Sequence, residues 1–145
     1  MNNNNTSAIF ITGNSRSGTT MLAKILGKNP LVFMFYELHF FEQWWYPEKE
    51  IKKITKEEAV DLFSKIISLQ REGFLAERNP TQFYKEATKF FEVNPKSSIT
   101  APQVFMDFLL YESMLHNKII PCEQTPRNLF FIEEISVLYP HAKII

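Results

Sequence analysis

The chain has 145 residues, of which 45% are apolar and 14 are phenylalanine, so it is long and apolar enough to bury a core and is not of the disordered class. Sixteen basic and sixteen acidic residues cancel. This neutral balance argues against a nucleic-acid partner and against binding to an anionic membrane surface.

Cellular location is predicted from three simple features. Cys122 is the only cysteine, which excludes an internal disulfide and favours a reducing compartment. No apolar run approaches the ~20 residues of a membrane span, and the Asn-rich start lacks the basic and apolar parts of a signal peptide. We therefore expect a soluble, cytoplasmic protein with a disordered leader at residues 1–7.

The first predicted elements are a buried strand over 8–11, a loop of small residues and an amphipathic helix. Gly13 and Gly18 allow the loop backbone to approach a ligand closely. A strand, such a loop and a helix together direct backbone N–H groups and the positive end of the helix dipole at an anion. The predicted apolar side of the helix consists of Met21, Leu22, Ile25 and Leu26.

The two glycines have the spacing of the nucleotide-binding P-loop, G-x-x-x-x-G-K-[ST], with one change. Thr19 stands where a lysine would contact the β- and γ-phosphates, and Arg16 supplies a cation two residues before Gly18. A guanidinium offers a planar fork to phosphate or sulfate and stays charged at any working pH. The loop is therefore suited to a doubly anionic group, without the usual lysine of an ATP or GTP hydrolase.

The segment Gly-Asn-Ser-Arg-Ser-Gly-Thr-Thr at residues 13–20 resembles the 5′-phosphosulfate loop of sulfotransferases that use 3′-phosphoadenosine 5′-phosphosulfate (PAPS). Its Arg-Ser-Gly-Thr-Thr form is more similar to the bacterial and tyrosylprotein-type branch than to the cytosolic one. The resemblance implies an α/β fold with a P-loop NTPase-like parallel sheet flanked by helices. It also implies metal-free transfer of a sulfuryl group to a hydroxyl or amine of a small molecule, carbohydrate or peptide. The donor-binding residues it implies are Ser15, Arg16, Ser17, Gly18, Thr19 and Thr20.

A second apolar run over 31–36 predicts a second buried parallel strand, and Glu37 follows its end. A carboxylate there can reach an acceptor hydroxyl in line with the donor. In the tyrosylprotein-type enzymes a glutamate at a matching distance is the catalytic base, so the resemblance implies this role for Glu37. The alternative is that Glu37 pairs with a nearby cation or caps the next turn.

His39 is the rival base, since an imidazole titrates near neutrality, although orienting Glu37 or packing against Phe40 is the favoured role. Glu37, His39 and Glu42 could also be considered as metal ligands. That spacing is generic and sulfuryl transfer needs no metal, so no metal site is predicted.

The patterns between residues 48 and 117 predict helices, the first beginning at the capping box of Thr55 and Glu58. In an open α/β sheet such an excursion lies over the carboxyl ends of the strands, where ligands bind. We expect it to form a wall for the acceptor. The aromatic run 44–46 either lines that site or packs beneath a loop.

The last part of the chain predicts a strand over 119–123, a helix over 126–139 and the start of a strand at 142–145. Residues 122–128 resemble the Glu-Lys-Thr-Pro segment of the family, whose lysine helps to stabilise the transferred sulfate. Gln124 stands at that position and brings no charge. Arg127 is a candidate to supply the missing positive charge, or Arg16 carries more of the charge stabilisation. The alternative is that Gln124 is an ordinary loop residue.

With no repeat or linker, we predict that residues 8–145 are the amino-terminal part of one sulfotransferase domain, apparently truncated before the motif that holds the 3′-phosphate. We expect such a fragment to bind the nucleotide weakly. Two other functions stay open: a P-loop kinase or nucleotide hydrolase, against which the missing loop lysine argues, and a non-catalytic remnant of the fold.

Overall fold

A computed structural model describes residues 7–14, 16–46 and 51–145, in which the chain divides into two units. The sheet unit is Met1–Gln43 with Leu109–Ile145, and the helical unit is Trp44–Phe108. The predicted leader lies outside the described residues except for Ser7. Among the described residues, no helix has both the length and the apolar content needed to cross a bilayer.

The sheet unit contains the parallel sheet that the sequence predicts. Its strands in the described part of the chain are β1 (Ile9–Ile11), β2 (Val32–Met34), β3 (Ile120–Gln124) and β4 (Lys143–Ile144). The strands are parallel and lie in the order β2-β3-β1-β4, with Ile9 of β1 in register with Cys122 of β3 and Lys143 of β4. The predicted α/β class is therefore confirmed, and the three longer strands end at the same edge of the sheet.

Helix α1 (Thr19–Leu26) follows β1 as predicted and ends where the Gly27 N–H donates to the Ala23 carbonyl at 2.8 Å. Its predicted apolar side is wrong in part, because Met21 is 65% and Ile25 54% exposed. The sheet is covered instead by Ala23 together with the partly buried Leu22 and Leu26. These side chains form a core with residues of the strands, namely Ile9, Ile11, Val32, Met34, Ile120 and Cys122.

Two predicted elements differ from those observed. The second strand is shorter than the predicted 31–36 and lies at the edge of the sheet, and Leu31 and Tyr36 on either side of it are exposed. The helix predicted over 126–139 is a 3-10 helix (Pro126–Phe131) followed by an α-helix. In the first part, the Asn128 N–H donates to the Thr125 carbonyl at 2.9 Å. This bond reaches three residues back along the chain, whereas the bonds of an α-helix reach four residues back.

The helices predicted between residues 48 and 117 are observed, and a short helix over 40–43 that was not predicted is present as well. The remaining helices are α2 (Phe40–Gln43), α3 (Lys56–Glu72), α4 (Tyr84–Val93) after a 3-10 turn (Pro80–Phe83), α5 (Ala101–Leu115) and α6 (Ile132–Leu138). The capping box is confirmed, because the Glu58 N–H donates to Thr55 Oγ1 at 3.1 Å and the Thr55 N–H donates to Glu58 Oε2 at 2.7 Å. In the helical unit, Phe63 stacks on Phe90 with ring centroids 4.6 Å apart.

Candidate functional site

A cleft of about 480 Å³ in the sheet unit lies where the chain leaves three parallel strands. Its walls come from the segment after β1, the segment after β2 and the segment after β3. The lining residues are Arg16, Gly18, Thr19, Thr20, Met21, Glu37, His39, Pro126 and Arg127. Carboxyl ends of parallel strands are where open α/β sheets bind ligands, so the position of the cleft makes it the candidate site.

The turn before α1 has the backbone geometry of an anion cradle. Arg16 has φ 65° and Gly18 has φ 91°, so two left-handed residues curl the chain immediately before α1. The Ser17 N–H donates to the Asn14 carbonyl at 3.0 Å, so the donors available to an anion are those at the start of the helix. A Cβ on Gly13, whose φ is 152°, would lie 2.8 Å from Ser17 Oγ, so the close curl of the chain requires glycine there. Gly18 caps α1 without a side chain, which leaves the start of the helix to an external group.

Opposite the turn, four charged or titratable side chains contact one another in sequence. Glu37 Oε2 lies 3.4 Å from His39 Nε2, and His39 Nδ1 lies 2.6 Å from Glu42 Oε2. The other oxygen of Glu42, Oε1, accepts from Arg127 Nε at 2.8 Å. This chain of contacts orients His39 through both ring nitrogens and links the carboxylate of Glu37 to the Arg127 guanidinium through His39 and Glu42.

The backbone of the Glu37–His39 turn is held from below by β3 and the residue after it. The Leu38 N–H donates to Glu123 Oε1 at 3.2 Å and to Thr125 Oγ1 at 3.1 Å. The His39 N–H donates to the same Thr125 hydroxyl at 3.2 Å. Because His39 has φ 50°, a conformation that costs a non-glycine residue about 1 kcal/mol or more, these bonds hold a strained turn in place.

Glu123 is a carboxylate with no exposed surface, placed in the middle of the sheet. Its Oε2 accepts from Asn128 Nδ2 at 2.7 Å, and its Oε1 accepts the Thr125 hydroxyl as well as the Leu38 N–H. Burial raises the pKa of the Glu123 carboxyl from 4.5 to about 7, against the opposing effect of the hydrogen bonds from Thr125 and Leu38 and of His39. Burial also raises the pKa of the neighbouring Cys122 thiol to about 12, so that thiol is unreactive.

The raised pKa of Glu123 predicts a pH-dependent stability. Because the folded protein binds this proton more tightly than the unfolded chain, the contribution is fully present below pH 4.5 and is lost as the pH rises through about 7. We expect the free energy of unfolding to fall by about 2–3 kcal/mol between about pH 5 and about pH 8, relative to the Glu123→Gln variant. Urea titrations of both proteins at the two pH values measure this, and identical pH slopes would contradict it.

The structure brings most of the predicted site residues together. Arg16, Gly18, Thr19 and Thr20 line the cleft with Glu37, His39 and Arg127. Ser17 and Gln124 are not among the described residues that line it, and Ser15 lies outside the described residues. Gln124 is buried and its Oε1 accepts from Thr20 Oγ1 at 3.3 Å, so its observed contact is with the first turn of α1.

Sequence analysis missed the groups that support the Glu37–His39 turn. Glu42 was considered only as a metal ligand, yet it links His39 to Arg127. Glu123, Thr125 and Asn128 were passed over although they belong to the segment that resembles the Glu-Lys-Thr-Pro motif. The available signal was an acidic residue inside a predicted strand, since a buried carboxylate requires partners nearby. No group of three or more His, Cys, Asp or Glu side chains suited to a metal ion occurs within the described ranges.

Comparison with known proteins gives one result. The family model described as "Sulfotransferase family" matches residues 8–145. No curated protein and no solved structure matches the chain. The match therefore covers both the anion cradle before α1 and the strands that surround it.

Proposed function

Because the chain belongs to the sulfotransferase family, we propose that it transfers a sulfuryl group from PAPS to a hydroxyl or amine of a small-molecule, carbohydrate or peptide acceptor. The observation that carries the proposal is a single cleft in which an anion cradle with Arg16 and the carboxylate of Glu37 occur together. The cytoplasmic location, and the prediction of no nucleic-acid or membrane partner, stay predictions from the sequence.

Several features of the cradle fit a phosphosulfate. The side-chain-free cap of α1 leaves the first N–H groups of the helix for an anion, and the absence of a Cβ at Gly13 allows the close curl. The Arg16 guanidinium adds a fixed positive charge and paired donors. When bound, PAPS supplies an activated sulfuryl group whose transfer releases 3′-phosphoadenosine 5′-phosphate (PAP).

In this proposal Arg16 and the first N–H groups of α1 bind the anionic oxygens and stabilise the charge that develops on the leaving phosphate. Such donors act strongly when they are positioned before the reaction begins. Gln124 supports them indirectly, because its contact with the Thr20 hydroxyl steadies the first turn of the helix. That role differs from the charge which the family's lysine brings at this position.

Glu37 is proposed as the base that accepts the proton of the acceptor as its oxygen or nitrogen attacks. Its side chain is 42% exposed and lines the cleft, so an acceptor can approach it from solvent. His39 is proposed to orient the carboxylate through the Nε2 contact at 3.4 Å. A base needs only to lie within hydrogen-bonding reach of the proton it removes.

Arg127 is proposed to supply the positive charge that Gln124 lacks. It lines the cleft, and its bond from Nε to Glu42 sets the direction of the guanidinium. A planar guanidinium held by one edge keeps donors on its other edge, so Arg127 is suited to binding an anionic oxygen while it stays paired. Together with Arg16 it gives the cleft two permanent cations.

A transfer assay tests the proposed function. The purified protein is incubated with radiolabelled PAPS and separately with a phenol, a sugar, a tyrosine-containing peptide and an amino sugar. We expect label to move to at least one acceptor class, with one PAP released for each acceptor modified. Absence of PAP release with every acceptor class, accompanied by magnesium-dependent ATP hydrolysis, would contradict the proposal and favour a P-loop nucleotide hydrolase.

A further inference from the structure

The described structure contains a buried polar group that the proposed reaction does not use directly. The Glu123 carboxylate has no exposed surface, yet it lies in the central strand β3 directly below the turn that carries Glu37. A carboxylate without solvent is costly unless hydrogen bonds satisfy its oxygens. Its location beneath the cleft, rather than elsewhere in the sheet, therefore needs an explanation.

The partners of Glu123 form a connected network that ends on backbone N–H groups. The Thr125 hydroxyl donates its hydrogen to Glu123 Oε1 and with its lone pairs accepts the N–H groups of Leu38 and His39 at 3.1 and 3.2 Å. The Leu38 N–H is shared with Glu123 Oε1 at 3.2 Å. The carboxylate thus sets the direction of the hydroxyl hydrogen, and the hydroxyl is left with acceptor capacity for the turn.

Asn128 completes the network on the other carboxylate oxygen. Its Nδ2 donates to Glu123 Oε2 at 2.7 Å, while its buried Oδ1 has no hydrogen-bond partner in the described part of the chain. A buried acceptor without a partner costs free energy, and the amide nevertheless presents its donor to the carboxylate. The Asn128 amide therefore holds the second carboxylate oxygen of Glu123.

The turn that receives these bonds determines where Glu37 and His39 lie. Leu38 is buried and its neighbours on both sides line the cleft. His39 has φ 50°, so without tethered N–H groups its backbone would favour a different conformation. A change there would move both the Glu37 carboxylate and the imidazole that contacts it.

We infer that Glu123 and Thr125 form a buried latch that fixes the backbone of the Glu37–His39 turn and are thereby positioning residues for the Glu37 carboxylate. The inference rests on the proposed function for the role of Glu37. The latch itself is a feature of the fold and has a readout of its own.

The Thr125→Val variant removes the hydroxyl while keeping the branched shape, and Thr125→Ser restores it. We expect kcat to fall about 10- to 100-fold in Thr125→Val, since displacement of a reacting group by about 1 Å can cost that much. The dissociation constant for PAP should stay within about twofold, because Thr125 is not among the described lining residues of the cleft. Thr125→Ser should recover most of the lost rate.

Amide hydrogen exchange provides the independent readout. In Thr125→Val we expect exchange at the Leu38 and His39 amides to accelerate about tenfold or more, with exchange in β1 unchanged. The matched control is Ser113→Ala, which removes another buried hydroxyl, bonded to the Leu109 carbonyl at 2.7 Å, and should change neither readout. If Thr125→Val does not fold, Thr125→Ala, which also removes the hydroxyl, is measured in its place, with the same direction expected at Leu38 and His39.

Two outcomes would overturn the latch. One is an unchanged kcat in Thr125→Val. The other is a loss of PAP affinity together with exchange that accelerates by the same factor at all amides, because that result indicates a general loss of stability. If the parent protein transfers no sulfuryl group, the proposed function fails. In that case the exchange rates at Leu38 and His39 still decide the latch, and unchanged rates there would reject it.

Discussion

Replacing Arg16 with alanine is expected to lower kcat/KM for sulfuryl transfer about 100- to 1,000-fold, the size of effect that loss of one positioned charge-stabilising donor produces. The guanidinium lines the cleft beside the start of α1, where charge on the leaving phosphate would develop. Alanine keeps a Cβ at the residue with φ 65°, so the backbone strain of the turn is the same in both proteins. Initial rates of PAP release from PAPS measure the effect.

Two further variants show whether the loss is specific. Arg16→Lys should recover only part of the rate, because an ammonium lacks the planar fork that binds two oxygens at once. Lys24→Ala removes an exposed cation of α1 that is not among the described lining residues of the cleft, and its rate should equal that of the parent protein. An Arg16→Ala variant that keeps a third or more of the parent kcat/KM would contradict this role for Arg16.

Replacing Glu37 with glutamine is expected to lower kcat about 100- to 10,000-fold while the dissociation constant for PAP changes by less than about twofold. Glutamine has nearly the shape of glutamate but cannot accept a proton at neutral pH. Because Glu37 lines the same cleft as the cradle without belonging to it, donor binding should be retained. Single-turnover rates together with calorimetric titration of PAP separate the two quantities.

The same experiment distinguishes Glu37 from the rival base. His39→Gln should lower kcat only about tenfold, since the imidazole acts by orienting the carboxylate at 3.4 Å. Glu133→Gln is the matched control. Glu133 lies on α6 and is not among the described residues that line the cleft, so kcat should stay unchanged. A larger loss in His39→Gln than in Glu37→Gln would assign the base to the imidazole.

Local patterns account for the parts of the fold that the sequence predicts well. The Gly13 and Gly18 loop between an apolar run and a helix, and the capping box of Thr55 and Glu58, depend on residues a few positions apart. The side of α1 that faces the sheet is set by long-range packing of Leu22, Ala23 and Leu26 against the strands, and Met21 and Ile25 are exposed although both are apolar. The insertion of β3 between β2 and β1 is likewise a long-range property.

In the candidate site, too, the sequence predicts the residues that depend on local patterns and misses the long-range contacts. Arg16 and Glu37 are predicted to share an edge because each follows a parallel strand, and they line one cleft. The support for Glu37 comes from Glu123 and Thr125, about 85 residues further along the chain. Their bonds go to backbone N–H groups, which every residue type except proline has, so the sequence of the supported turn does not indicate them. The family segment directed attention to position 124, whereas the contacts beneath the cleft are made by the residues on either side of it.

Calorimetric titration of the protein with PAP, and separately with ATP and magnesium, tests the central claim most directly. A cradle with Arg16 and no loop lysine is expected to bind PAP at least about tenfold more tightly than magnesium–ATP, and Arg16→Ala should remove that preference. Tight binding of magnesium–ATP with no heat on addition of PAP would contradict the account.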